Sequence, residues 1–327
     1  MRAMILAAGL GTRMRPLSEL RAKPALPVRG RPVIGLLLDL LARHGIRDVM
    51  INLHHRPTSI RDAVERECPA DLAVHWSEEP VPLGTGGGIR RAAEFLRESN
   101  ECLVIAGDML LDLDLGLLFA HHRASRNAAT LVLREDHRAK DFGTIGFDAD
   151  GQVTRIGSRA LRAGEVASGL FTGVRVFSRA LLDDWPELED FEDLRDWLVP
   201  AMLERDARVG VWRVGPEDSV WEPVGTPLEY LRVNLDPPAL PSLGGAVEEW
   251  TGEVELVGAA SDVILGSHAH LGVGACLERS VVWEDERVPA GFQGALGVFA
   301  GGQFHACKES PLASRADAVE TESGGPS

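Results

Sequence analysis

"LAAGLGTRMRPLSELRAKPALPV", residues 6–28, decides how this chain is read. It leaves an apolar run, "RAMILAA", that reads as a buried strand, and it places two glycines, three prolines and four basic side chains in the exit. A plain turn needs none of these. Small residues at Ala7, Ala8, Gly9 and Gly11, followed by Thr12, let backbone N–H groups come close to a ligand. Arg13, Arg15 and Lys23 bring positive charge to the same strand end. Open α/β sheets bind ligands at the carboxyl ends of their strands, so the string describes a polyphosphate cradle. Two familiar loops are excluded. G-x-x-x-x-G-K-[ST] is absent, and Thr12, Arg13 and Met14 follow "GLG" where a dinucleotide fingerprint needs a third glycine.

Outward from this loop, strand and helix signals alternate. "RPVIGLLLDLLARHG" reads as a helix opened by Pro32 and closed by Gly45. "DVMINL" and "LAVHW" read as strands around the helix "PTSIRDAVERE". "GGGIRRAAEFLRE" is a helix with a glycine-rich entry, and "CLVIAGD" is a further buried strand. Such alternation predicts βαβ units and a mostly parallel sheet. After residue 127, "AATLVLR", "GTIGFD", "GQVTRIG", "FTGVRVF", "VGVWRV" and "SVWEPVG" read as strands, followed by a helix over "PLEYLRVN". Asp112 and Asp114 read as turn or helix-cap residues.

Composition changes at "DPPALPSLGG", so we expect a first domain over 1–235 and a linker over 236–250. From 251 to 306 aliphatic residues recur near every sixth position (Val257, Val263, then Leu271, Leu277) between small and turn residues. That pattern is similar to hexapeptide-repeat, left-handed β-helix coils. Short coils leave an apolar end, which predicts a homo-oligomer formed through this domain. Residues 307–327 are polar and without period, and are expected to be disordered.

The 327 residues carry a formal charge of −15, which argues against nucleic acid as a partner. Four scattered cysteines without a C-x-x-C pair read as reduced thiols, and no apolar run is long enough to span a membrane. A cytoplasmic protein without a membrane partner is the expectation. His54-His55 and His121-His122 are adjacent pairs that regular structure cannot turn toward one metal, so they read as solvent-facing or hydrogen-bonded.

The opening string closely resembles the signature of the sugar-1-phosphate nucleotidyltransferases, L-A-A-G-x-G-T-R-x-x-P-L-T followed by K-P-x-L-P-V. The resemblance covers residues 2–235. It implies a Rossmann-like fold and the conversion of an NTP and a sugar 1-phosphate into an NDP-sugar and pyrophosphate, with Mg²⁺ as cofactor. It implies that Ala8, Gly9, Gly11, Thr12 and Arg13 hold the triphosphate, that Arg15 assists, and that Lys23 bridges phosphates. In "SEEPVPLGTGGGIRRA" it implies that Gly84, Thr85 and Gly86 pass under the base and ribose, with Glu79 as a candidate for base recognition. In "LVIAGDML" it makes Asp108 the metal ligand, so Arg13, Lys23 and Asp108 form the implied catalytic set. Gly143 of "DFGTIGFD" and Gly173 of "FTGVRVF" fall in the sugar-side segments.

The L-G-T-G-G form most resembles mannose- and heptose-1-phosphate guanylyltransferases, which favours GTP. The G-G-G-I ending also resembles N-acetylmuramate-1-phosphate uridylyltransferases, so uridylyl transfer to an amino-sugar 1-phosphate is the alternative. The sequence departs from the family at "VWEPVGTP". Pro223 stands where W-x-D-x-G-T-P has a second metal-binding Asp, and a shifted backbone would be needed to bring Glu222 into its place. The E-K-P segment is also missing, which leaves Arg159 or Arg162 to meet the sugar phosphate. Pro223 favours a further alternative, a non-catalytic subunit that binds a nucleotide sugar.

Overall fold

Strand β1 (Arg2–Leu6) is apolar on both faces, and a parallel sheet with both faces covered is where such a strand is stable. The computed structural model, which describes residues 1–139, 143–243, 245–246 and 259–307, places it at the centre of a ten-stranded sheet. β1 pairs in parallel with β2 (Asp48–Leu53), which pairs in parallel with β3 (Ala73–Glu78). On its other side β1 pairs in parallel with β4 (Glu101–Ala106). Helices α1 (Val33–Arg43), α2 (Pro57–Glu67) and α3 (Gly84–Arg91) fall between these strands in the chain. Pro32 opens α1 and Gly45, at φ +76°, follows its end, as the sequence predicts.

Beyond β4 the order is less regular. The antiparallel ribbon partner β5 (Met109–Leu113) leads into α4 (Leu115–Ser125), a helix the sequence reading passed over, although Asp114 caps it as expected by accepting from Leu117 N at 2.9 Å. The sheet then takes up β6 (Ala129–Arg134), β7 (Thr144–Phe147), β8 (Val153–Ile156), the two-residue β9 (Arg159–Ala160), β10 (Ala167–Ser178) and β11 (Val209–Val214). β10 is antiparallel to β4, β6 and β7, and β8 is antiparallel to β7, so all strands but these two run one way. Strand β12 (Ser219–Pro223) returns to pair with β5, and α5 (Pro227–Leu235) follows it.

The Pro- and Gly-rich stretch after 235 is docked. Leu240 and Leu243 are buried, and Ser242 donates its backbone N–H and its hydroxyl to Asp112. The C-terminal region is a stack of parallel strands: β13 (Ala259–Leu265), β15 (Cys276–Val282) and β17 (Gln293–Ala300), with the short β14 (His270–Leu271) and β16 (Arg287–Val288) paired beside them. Successive coils are in register seventeen residues apart, so Leu265, Val282 and Phe299 stack, as do Leu271 and Val288. β18 (Gln303–Ala306) folds back antiparallel on β17 and covers the last coil, the apolar end that the sequence reading left open. One apolar cluster runs from α1 through Tyr230 to Val281, Trp283 and Val298, so the stack shares the core of the large domain. Of residues 307–327, expected to be disordered, Cys307 is instead buried and donates its N–H to the Leu296 carbonyl at 2.8 Å, and 308–327 lie outside the described residues.

Candidate active site

The loop after β1 follows its sequence reading closely. Ala8, Gly9, Gly11, Thr12 and Arg13 form a largely exposed bend at the carboxyl end of β1. Gly11 is required there: its φ is +64°, and a Cβ would lie 2.9 Å from Ser18 Cβ. Ser18 Oγ donates to the Gly11 carbonyl at 2.8 Å and fixes the bend. Arg15 points along the surface to Glu19, 3.1 Å away.

Lys23 is not the exposed cation that its neighbours suggest. Its side chain is 10% exposed, and Nζ lies 3.4 Å from Asp108 Oδ2 at the mouth of β4. Asp108 itself is 42% exposed, so it keeps a face toward solvent and ligands. The Val224 N–H donates to the Asp108 carbonyl at 2.8 Å, which brings the V-G-T-P turn beside it. Thr226 caps α5 by accepting from Glu229 N, and Glu229 Oε2 accepts from Gly225 N at 2.9 Å. A Cβ on Gly225 would stand 3.7 Å from Arg13 Nη2, so Arg13 reaches this turn. Arg13, Lys23, Asp108 and residues 224–226 therefore meet from three distant parts of the chain.

Several expectations need correction. The side of Gly84 and Gly86 on which a Cβ would stand is filled by the chain around Phe191. A Cβ at Gly84 would lie 2.6 Å from the Phe191 carbonyl oxygen, and one at Gly86 2.3 Å from the Phe191 ring. The glycines admit the chain over 189–193. Thr85 is taken by the same segment: its hydroxyl lies 2.7 Å from Asp193 Oδ1 and 2.8 Å from Glu192 Oε2. Asp193 is held in turn by Arg175, 2.7 Å away, with both side chains at most 5% exposed. Glu79 is buried, and its two carboxylate oxygens accept from Asn52 Nδ2 at 2.7 Å and Leu83 N at 3.2 Å. Asn52 Oδ1 also accepts from Ala7 N at 2.7 Å, so Glu79 as placed ties the two loops together rather than offering a free carboxylate to a base.

Glu222 does not replace the missing carboxylate. Pro223 sits in register with Met109, next to Asp108, while Glu222 Oε2 accepts from Arg138 Nη1 at 2.8 Å and Arg232 Nη2 at 2.5 Å. Consecutive strand residues face opposite ways, and the backbone is not shifted to overcome that. Among the described residues no group of three His, Cys, Asp or Glu side chains is arranged to hold a metal. The histidine pairs are hydrogen-bonded, His54 with the Glu79 carbonyl, His55 with that of Ser18, His121 with that of Val211 and His122 with Thr130 and Ser178.

On the sugar side, Gly173, at φ +82°, allows a close crossing, since a Cβ would meet Ala106 Cβ at 3.0 Å. Gly143, at φ +78°, is exposed with open space around it. Arg162 is spoken for by the Met202 carbonyl at 3.1 Å and by Asp206, and Arg159 lies on the outermost strand. Among the described residues two further cations, Arg134 and Arg138 of "LREDHR", stand at the end of β6, and both are paired in turn. Arg138 donates to Asp136 at 2.7 Å, and Arg134 lies 3.6 Å from the same carboxylate. Burial pushes the Asp136 carboxyl up, but hydrogen bonds and charge from Arg138, with the charge of Arg134, outweigh it and hold it at about 2.

A group with a depressed folded pKa adds stability above its unfolded value, and that stability is lost as pH falls through the folded value. Asp136 is thus expected to stabilise the fold above its ordinary 3.8 and to lose that contribution down to about pH 2. Urea midpoints measured across this range should fall less steeply for Asp136→Asn than for the parent. Identical slopes would contradict the assignment.

Fold and loop together define a nucleotidyl-transferring enzyme class. A family model described as "Nucleotidyl transferase" matches residues 2–238, and the chain belongs to that family. Among named relatives, the mannose-1-phosphate guanylyltransferase of Mycobacterium tuberculosis (strain ATCC 25618 / H37Rv) is 28% identical over 298 residues, covering 88% of this chain and 81% of that protein. The D-glycero-alpha-D-manno-heptose 1-phosphate guanylyltransferase of Campylobacter jejuni subsp. jejuni serotype O:2 is 24% identical over 230 residues, covering 70% of this chain and 97% of that protein. The crystal structure of HddC from Yersinia pseudotuberculosis complexed with GMP-PN shares the fold, with a TM-score of 0.60 at 24% identity over 71% of this chain and 97% of that one.

Proposed function

We propose that this protein transfers a guanylyl group from GTP to a sugar 1-phosphate of the mannose or heptose type, giving GDP-sugar and pyrophosphate. The observation that carries the reading is the meeting of the glycine loop, Arg13, Lys23 and Asp108 at one sheet edge. The names of the guanylyltransferase relatives support the choice of base and sugar.

A sugar phosphate oxygen attacks the α-phosphorus, and the bond to the leaving pyrophosphate breaks. The attacking phosphate is already ionised near neutral pH, so no general base is required. The barrier lies in bringing two anions together and in the charge that develops on pyrophosphate. In this reading the loop N–H groups of residues 8–12 and Arg13 hold the triphosphate, Lys23 meets phosphate oxygens, and Gly143 and Gly173 border the sugar.

Mg²⁺ is part of the proposal. Asp108, half-open beside Lys23, suits a cation that binds through one carboxylate plus phosphates and water. Bound there, Mg²⁺ would supply charge neutralisation to the phosphates. Asp108→Asn should abolish transfer, whereas Glu222→Gln should change the rate less than threefold or so, since its carboxylate serves Arg138 and Arg232. Equal damage from both would make Glu222 a ligand after all. Self-association through a left-handed β-helical C-terminal domain (251–306), at a surface other than the end that β18 covers, and a cytoplasmic location belong to the same proposal. A mass of 35.3 kDa by light scattering, that of one chain, would contradict the former.

Pro223 favours a second reading, a non-catalytic protein that binds a nucleotide sugar. Calorimetry with GTP and UTP in the presence of sugar 1-phosphates and a metal tests the base. Tighter binding of GTP than UTP is expected, and the reverse order would favour the uridylyl alternative.

A further inference from the structure

We propose that the C-terminal stack holds Lys23 in its working position, which makes Arg21, Trp283 and Glu284 positioning residues for the transfer reaction. The inference rests on the reading of Lys23 as the cation that meets the phosphates.

Lys23 lies in the segment Arg21–Pro27, and both ends of that segment are tied to the stack, Arg21 directly to Glu284 and Trp283, and Pro27 to Trp283 through Tyr230 of α5. At the first end, Arg21 Nη1 lies 2.6 Å from Glu284 Oε1, and the guanidinium carbon sits 4.6 Å from the centroid of the Trp283 ring. At the other end, Trp283 Nε1 donates to the Tyr230 hydroxyl at 2.9 Å, and that hydroxyl donates to the Pro27 carbonyl at 2.6 Å. Trp283 and Tyr230 are buried, so this relay runs without competition from water. Beside it, Leu20 rests on the turn at Gly301, where a Cβ would stand 3.1 Å from Leu20 Cδ2.

The segment between the anchors is stiff. Lys23–Ala25 is a turn of 3₁₀ helix, and Pro24 and Pro27 fix their own φ. A shift at either anchor is therefore passed along the chain instead of being absorbed. Lys23 Nζ is 3.4 Å from Asp108, so such a shift changes the spacing of the two groups that the reaction needs together. Apolar packing already joins the stack to the large domain through Val281 and Val298. The Arg21–Glu284 pair and the Trp283–Tyr230–Pro27 relay are directional additions to that packing, and they converge on one segment.

The test uses the full chain. Glu284→Gln removes the charge and keeps the size. Trp283→Phe removes the N–H donor and keeps most of the bulk. Four quantities are measured: kcat and KM for GTP, the melting temperature, and the rate at which an amine-reactive reagent labels Lys23, read by peptide mass spectrometry. Both variants should melt cooperatively near the parent. They should lose on the order of tenfold in kcat, and Lys23 should label several-fold faster. The exchanged pair, Arg21→Glu with Glu284→Arg, should restore part of both. The proposal is overturned if Lys23 labels at the parent rate in the variants, or if kcat is unchanged. If the parent transfers nothing, the functional reading fails by itself and the labelling rate alone decides this one. If Trp283→Phe does not fold, Glu284→Gln and the exchanged pair decide.

Discussion

Replacing Lys23 by Ala is expected to lower pyrophosphate release by about two to three orders of magnitude, the cost of losing one preorganised donor in a phosphate-transfer site, about 3–4 kcal/mol. Arg13→Ala should act in the same direction. Lys23 is the sharper test because it is nearly buried and held beside Asp108, so its charge acts where water is sparse. The fold should survive. Asp108 is 42% exposed and remains hydrated when its partner is gone. The aliphatic stem of Lys23 packs near Gly11, so Lys23→Met is the better control for lost packing. The measurement is kcat alongside the melting temperature. A melting temperature that collapses in Lys23→Met while the small amount of folded protein stays active would make Lys23 structural.

Asp193→Ala is expected to cost about 3–5 kcal/mol of stability, the usual consequence of leaving a buried charge without its partner. The charge left behind is Arg175, which is 2% exposed on β10. The same carboxylate accepts from Thr85, so its loss also removes one of the bonds that tie the segment over 189–193 to the glycine tract. Urea denaturation should show the full loss for Asp193→Ala and a smaller loss for the apolar pair Arg175→Met with Asp193→Leu, because an apolar pair leaves no orphaned charge. A loss under about 1 kcal/mol for Asp193→Ala would mean that water reaches Arg175 and that the segment is held by Phe191 alone.

These two expectations differ in how far they can be read from sequence. The phosphate loop is local: a strand end, a positive-φ glycine and a run of cations lie within 23 residues, and the structure keeps that order. Asp108 is local in the same sense, since an apolar strand delivers it to the sheet edge. The glycine tract at Gly84–Gly88 is different. Its glycines cost about 1 kcal/mol each inside a helix, which made a ligand look like their purpose. The group that fills the space is the chain around Phe191, about a hundred residues later, and nothing near Gly84 announces it. Glu79 likewise reads as a free carboxylate until Asn52 on the neighbouring strand is seen beside it. The C-terminal coils were partly legible. Aliphatic spacing pointed to stacked strands, but the repeat that pairs them is a whole coil of seventeen residues, with turns that blur a six-residue period. The clamp on Lys23 was not legible, because Arg21 and Glu284 are brought together only by the way the stack packs on α5.

Pro223 is a local departure that bears on whether the site works. With Glu222 committed to two arginines, Asp108 is the carboxylate left beside Lys23 among the described residues. Pro223→Asp would place a second carboxylate in register beside Met109, and it should tighten the metal requirement or raise the rate. The decisive measurement is pyrophosphate release by the wild-type chain across five NTPs and a panel of sugar 1-phosphates at saturating Mg²⁺. The account predicts release with GTP and a mannose- or heptose-type sugar 1-phosphate, lost in Asp108→Asn. A chain that binds a nucleotide sugar but releases no pyrophosphate with any pair would contradict it.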